Sequence, residues 1–293
     1  MKVRKIRNAP FAQFVFQGAL TKCHYKQPLN MQSQAGGGKR GVISEFSRQS
    51  RKRLLDLFAR MRQNPQMVFL TLTYGQCWPA PAEAKAHYRA LMERIRRRYP
   101  NVAAVWRIEY QQRGAPHFHI IFYGLPFIPK HQIARVWHEI IGDVYADWSS
   151  GHAAPPFTRI EMIKSRRKAM SYVSKYVGKM DAHQPAPPSG SGFNYATYLH
   201  AGRYWGVHNR GALPFAENIT VTVALIGGAQ KVFHDMRRYV RRKWVGNKTT
   251  RVQGWTIYSD ATQWHELLHY TLMQHAPIAM SPQSYAWRTW RYT

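Results

Sequence analysis

The residues best equipped for chemistry lie in the run Pro116-His117-Phe118-His119-Ile120-Ile121-Phe122-Tyr123-Gly124. Read as a β-strand, its alternation sends Phe118, Ile120 and Phe122 to one face and His117 and His119 to the other. A second strand-like run, VAAVWRIEY, precedes it, and the intervening QQRGA contains the glycine a short hairpin turn favours. Antiparallel pairing across that turn sets Tyr110 against Pro116, Glu109 against His117 and Arg107 against His119. Glu109 then shares the histidines' face, while Trp106, Ile108 and Tyr110 fall on the core face with Phe118. Two neutral imidazoles and one carboxylate, with positions left open, can hold a divalent cation that also binds phosphate oxygens. A bare His-x-His pair is as well explained by a plain sheet face; the carboxylate brought in by the register is what points to a site.

The second group is SYVSKYVGKM, a tandem Tyr-Val-x-Lys that supplies Tyr172, Lys175, Tyr176 and Lys179. In a helix Tyr172 and Tyr176 project the same way, one turn apart, so either phenol could be presented to one phosphate. A phenol with a pKa near 10 is a poor nucleophile at neutral pH and needs positive charge nearby, which Lys175, Lys179 and a metal would provide. The plainer alternative is an amphipathic helix with tyrosines on its buried edge.

The elements that must position these groups follow in a regular order. A basic helical segment, FSRQSRKRLLDLFARMRQ, leads into the strand-like MVFLTLTY, then a helix opened by Pro81 and stopped at Pro100. The two hairpin strands come next, then a helix near HQIARVWHEIIGDV, a strand near FTRIEMI and the helix SRRKAMSYVSKYVGKM. The order β-α-β-β-α-β plus a helix is the split βαβ, ferredoxin-like arrangement, an α+β fold with an antiparallel sheet. Thr71 and Thr73 share a face of the first strand, where they could support a site, but nothing gives them a catalytic role. Residues 1–45 read as a basic arm ending in the flexible loop NMQSQAGGGKRG, 46–215 as the main domain, and 216–293 as an α/β extension packed on it. That extension holds a strand near NITVTVALI, a helix near AQKVFHDMRRYVRRKW, the stretch WTIYSD and a short helix from about Ala261.

Composition narrows the partners. Forty-three Lys and Arg face 14 Asp and Glu, a formal net charge of +29, which makes nucleic acid the expected partner. No apolar run approaches the ~18 residues of a membrane span and no signal-like core follows the basic start, so a soluble cytoplasmic protein is expected. Cys23 and Cys77 lie far apart outside any Cys-x-x-Cys pattern, which argues against a disulfide framework or a cysteine zinc site. The GGGK segment is not a nucleotide-binding loop. Ser33 stands where the first glycine of that pattern is needed and Arg40 where Ser or Thr is needed, so duplex unwinding falls to another protein.

With these motifs in order, the chain resembles the HUH superfamily of rolling-circle replication initiators. MVFLTLTY is similar to the first family motif, EYQQRGAPHFHIIF to the second and YVSKYVGK to the third, and with GRYWGVHNRGALP the likeness covers about residues 43–215. It has the look of the two-tyrosine replication proteins of filamentous and other small single-stranded DNA phages. The resemblance implies Mg²⁺ or Mn²⁺ held by His117 and His119, with Glu109 at the third-ligand position. It also implies attack by Tyr172 or Tyr176 on single-stranded or hairpin origin DNA, a 5′-phosphotyrosine link, a free 3′-hydroxyl primer and later rejoining. A host helicase and DNA polymerase in a bacterial cytoplasm would be the partners.

Other readings remain at this stage. HUH transposases and relaxases share the chemistry. A non-enzymatic RRM-like binder shares the element order, although an RRM would expose aromatics where Glu109, His117 and His119 stand here. The segment His265-Glu266-Leu267-Leu268-His269 matches HExxH, with His275 at a metzincin-like offset. Leu272, however, occupies the position where that family needs a turning glycine.

Overall fold

The computed structural model describes residues 10–26, 43, 45–62, 67–146, 158–163, 172, 202–240, 242 and 254–275. The chain divides into two compact units: one of Lys39–Phe58 with Arg62–Pro214, the other of Met1–Gly38, Ala59–Met61 and Phe215–Thr293. Each is a mixed α+β assembly around an antiparallel sheet.

The first unit holds helix α1 (Arg48–Ala59, which ends as the chain leaves the unit), β3 (Met67–Leu72), α2 (Pro81–Arg98), β4 (Ala103–Tyr110), β5 (Pro116–Tyr123), α3 (Lys130–Ile141), β6 (Thr158–Ile163) and β7 (Trp205–His208). The strand order is β6-β3-β5-β4-β7, with every neighbouring pair antiparallel. This order, with two helices between the strands, is compatible with the expected ferredoxin-like arrangement. Val68, Leu70 and Leu72 alternate with Phe118, Ile120, Phe122 and Ile108 to make one apolar sheet face, all of them fully buried. Helix α2 meets that face through Ala84, Tyr88, Leu91, Met92 and Ile95, a spacing that keeps one helical stripe inward. Tyr88 stacks on Phe118 with centroids 5.4 Å apart and lies 5.1 Å from Trp106. Pro81 opens α2, where a missing N–H costs nothing, and Arg96, Arg97 and Arg98 close it, where the carbonyl end of the helix favours cations. Helix α3 adds Ile133, Ala134, Trp137 and Ile141, and its Trp137 indole donates to the Thr73 carbonyl at 2.9 Å.

The opposite face of this sheet is not the open one the sequence suggested. Arg107 and His119 are 3% and 6% exposed, and Phe69, Val105 and Ile121 are buried beside them. The reason is a cover that periodicity does not reveal: Phe46 lies under the Arg107 guanidinium at 4.6 Å, and the Trp205 indole donates to Ser50 of α1 at 2.8 Å. Strand β7 itself, from the stretch read only as aromatic and basic sequence, adds to the edge of β4. Gly206 permits this, because a β-carbon there would meet the Trp106 ring at 2.8 Å.

The second unit corrects the reading of residues 1–45 as an arm. Phe11–Gln17 (β1) and Leu20–Lys26 (β2) form a hairpin, in a sheet ordered β8-β1-β2-β9 with Ile219–Ala224 (β8) and Gly254–Tyr258 (β9). FAQFVFQ alternates strictly between buried and half-buried positions, and its inward Ala12, Phe14 and Phe16 join Cys23, Val221 and Val223. Helices α4 (Gly227–Val240) and α5 (Ala261–His275) complete the core through Ala229, Phe233, Ala261 and Leu268. The hairpin turns at Gly18, whose φ of +60° and close approach to the Ala59 carbonyl leave no room for a side chain. Among the described residues no helix is long and apolar enough to cross a membrane.

Candidate metal and tyrosine site

Strands β4 and β5 pair in the register expected from the sequence: Tyr110 opposite Pro116, Glu109 opposite His117 and Arg107 opposite His119. The turn is closed by the Gln111 amide donating to the Ala115 carbonyl at 3.0 Å and the Gly114 amide to the Gln111 carbonyl at 2.7 Å. Gly114 takes a φ of +91°, which a side chain would oppose. The hairpin therefore carries Glu109, His117 and His119 onto one face, where their ligating atoms all lie within 4.8 Å of one another. Glu109 Oε1 and His119 Nε2 are 2.7 Å apart, and the two imidazole rings meet edge to face at 4.5 Å. Among the described residues this is the group of donors able to hold a metal ion.

The electrostatics of the cluster suit a cation. Burial alone would raise the Glu109 pKa, but the hydrogen bond and charge of His119, with Arg107 and His117 nearby, bring it down to about 2. The carboxylate is thus a charged ligand at neutral pH. One hard oxygen and two imidazole nitrogens on a half-buried rim fit a divalent metal that keeps positions open for a substrate oxygen.

The tyrosine approaches from the next strand pair. Phe69 of β3 stacks on Tyr172 with centroids 4.4 Å apart and 25° between planes, and is near parallel to His119 at 5.9 Å and 14°. Phe69 pairs with Glu161 of β6, so both side chains leave the same sheet face. The Tyr172 hydroxyl donates to Glu161 Oε2, and Arg159 Nε donates to the Oε1 of the same carboxylate. Burial, then the hydrogen bond and charge of Glu161, raise the Tyr172 pKa, against a smaller lowering by Arg159. Thr71 pairs with both His119 and Arg159 and shares this face. Tyr176, Lys175 and Lys179 lie outside the described residues, as do the helix and loop expected around them.

Three contributors were not singled out from sequence: Arg107, Phe69 and Glu161. Glu161 was detectable in principle, since the alternation of TRIEMI puts it and Arg159 on the face opposite Ile160. The pairing of β6 with β3 was what the sequence did not supply.

The HExxH segment lies on α5 of the other unit. His265 packs edge-on against Phe16 at 5.1 Å, and burial, followed by the charge of His269, lowers its pKa, with Glu266 opposing. It is a packed histidine, and the side chain of His275 lies outside the described residues. Cys23 is buried and Cys77 exposed, both free thiols, with burial pushing the Cys23 thiol up.

A ferredoxin-compatible sheet bearing a His-x-His donor cluster and a nearby tyrosine agrees with the class of protein that the family comparison finds: a family model for phage-type replication-associated proteins matches residues 67–181. The chain is also 26% identical over 220 residues to the replication-associated protein of Pseudomonas phage Pf3, covering 74% of this chain and 71% of that protein. Together the two matches support a filamentous-phage-type replication protein.

Proposed function

We propose that the chain initiates rolling-circle replication by nicking single-stranded origin DNA with a tyrosine nucleophile. The observation that supports this most is the shared sheet face: the Glu109, His117 and His119 donors and Tyr172 are joined through the Phe69 ring. Similarity to a phage replication protein supplies the biological setting.

Glu109, His117 and His119 would hold Mg²⁺ or Mn²⁺, and such an ion when bound polarises a phosphate oxygen and neutralises charge that develops there. The phenol of Tyr172, or of Tyr176 four residues on, attacks the scissile phosphorus in line. The bond to the 3′ oxygen breaks, leaving a 5′-phosphotyrosine and a 3′-hydroxyl that primes synthesis. One ester is exchanged for another, so no nucleotide is consumed, and a 3′-hydroxyl attacking the phosphotyrosine closes the strand. Lys175 and Lys179 add positive charge that favours the phenolate. Phosphate contacts from the excess of Lys and Arg hold the DNA. A host helicase would open duplex DNA and a host polymerase extend the primer, in the bacterial cytoplasm.

The test is incubation of the protein and Mn²⁺ with labelled single-stranded oligonucleotides tiling the parent replicon, resolved on a denaturing gel. A protein-linked DNA band, lost in His117→Ala and in the Tyr172→Phe/Tyr176→Phe double variant, is expected. Binding without any covalent band, in either metal and on either strand, would leave a non-enzymatic nucleic-acid binder.

A further inference from the structure

The face that carries the metal donors also carries a carboxylate outside that group. Glu161 accepts the Tyr172 hydroxyl through Oε2, while its Oε1 is held by Arg159. Phe69 fixes the Tyr172 ring from the side at 4.4 Å. The reacting oxygen, an acceptor for its proton and a clamp on that acceptor are therefore in place together.

We propose that Glu161 is the general base for Tyr172, a role that rests on the nicking reaction inferred above. As the phenol oxygen bonds to phosphorus, its proton passes to Glu161 Oε2. The bond from phosphorus to the 3′ oxygen breaks with its electron pair, and the leaving oxygen takes a proton from solvent. On rejoining, the 3′-hydroxyl attacks the phosphotyrosine and gives its proton to solvent, and the Glu161 carboxyl returns its own proton to the phenol oxygen. Arg159 acts through Glu161 as a positioning residue, keeping the Oε2 lone pair on Tyr172.

A purely electrostatic role for Glu161 has the opposite consequence, which makes the two separable. A carboxylate beside a phenol opposes its ionisation, as the raised Tyr172 pKa reflects. If Glu161 did nothing else, its removal would make Tyr172 more acidic and speed the attack at neutral pH. A base does the reverse: its loss slows the attack although the phenol ionises more readily.

The experiment measures the rate of covalent adduct formation with Mn²⁺ and a cleavable single-stranded oligonucleotide, from about pH 6 to about pH 9, for wild type, Glu161→Gln and Glu161→Asp. DNA and Mn²⁺ affinities are measured alongside. General-base loss is worth about 100-fold or more, so E161Q should be slowed by that factor, with a rate that keeps climbing with pH as the phenolate takes over. E161D should recover to within about tenfold of wild type, and both variants should bind DNA and Mn²⁺ as wild type does. In metal-free protein with 3-fluorotyrosine at position 172, ¹⁹F NMR should show E161Q lowering the phenol titration. An E161Q rate equal to or above wild type overturns the base role and leaves the nickase reading standing. So does a slowed rate with an unchanged pH profile, or an adduct that forms through Tyr176 with Tyr172→Phe at full speed. Failure of wild type to form any adduct removes the nickase reading itself, and the base role with it.

Discussion

The Arg107 guanidinium, 3% exposed, lies 3.7 Å from the Glu109 carboxylate. A buried cation therefore stands directly behind the proposed metal donors, on the strand that carries one of them. Breaking a buried pair by removing one partner leaves the other charge uncompensated. Arg107→Met is expected to cost about 3 kcal/mol of stability. Urea unfolding should show it as a lower midpoint with an unchanged slope.

Gly206 gives a second stability test in the same unit. A methyl there meets the Trp106 ring at 2.8 Å, so β7 must shift or the indole must turn. Gly206→Ala should lose about 1–3 kcal/mol, the usual range for overpacking, and Gly206→Ala combined with Trp106→Leu should lose less than the sum of the two single changes. Additive losses in a double-mutant cycle would mean that the ring is not what the glycine accommodates.

His265 predicts a pH dependence in the other unit. Its folded-state pKa is lowered below the ordinary 6.5, by burial and by the charge of His269, with Glu266 opposing. The unfolded chain therefore binds the proton first. The stabilisation is fully present above pH 6.5 and is lost as pH falls from there through the folded-state value. Thermal unfolding of His265→Gln should fall less steeply on acidification through this window than wild type. A zinc chelator should leave the unfolding midpoint of the chain unchanged, since His265 packs on Phe16 and holds no ion.

Metal removal separates binding from chemistry. Isothermal titration should find one Mn²⁺ site in wild type, weakened at least about tenfold in His119→Ala. Chelation should abolish adduct formation but leave oligonucleotide binding with the same dependence on salt, because phosphate contacts by Lys and Arg set that slope. Loss of DNA binding on chelation would mean that the ion bridges protein and DNA in the ground state.

The metal cluster was legible in the sequence for a specific physical reason. A strand has a period of two and a short hairpin has a fixed register, so Glu109, His117 and His119 could be placed together from local information alone. The ferredoxin-compatible element order was legible in the same way, from runs that declare themselves by periodicity. The base candidate was not, because Glu161 reaches the site only through pairing of β6 with β3, strands separated by most of the unit. The β1–β2 hairpin failed for a similar reason. FAQFVFQ alternates well enough, but its partners β8 and β9 lie about two hundred residues away, and the surrounding positive charge made the stretch read as an arm. The cover over Arg107 was likewise invisible: a charged residue in an alternating strand reads as solvent-facing unless a distant aromatic is known to lie on it.

The most direct measurement is tandem mass spectrometry of the protein after reaction with Mn²⁺ and a cleavable single-stranded oligonucleotide, followed by nuclease and protease digestion. The expected result is a nucleotide attached through its 5′ phosphate to Tyr172 or Tyr176, absent from His117→Ala. Attachment to any other side chain, or cleaved DNA with no protein-linked nucleotide at all, would contradict a tyrosine-using nickase built on Glu109, His117 and His119.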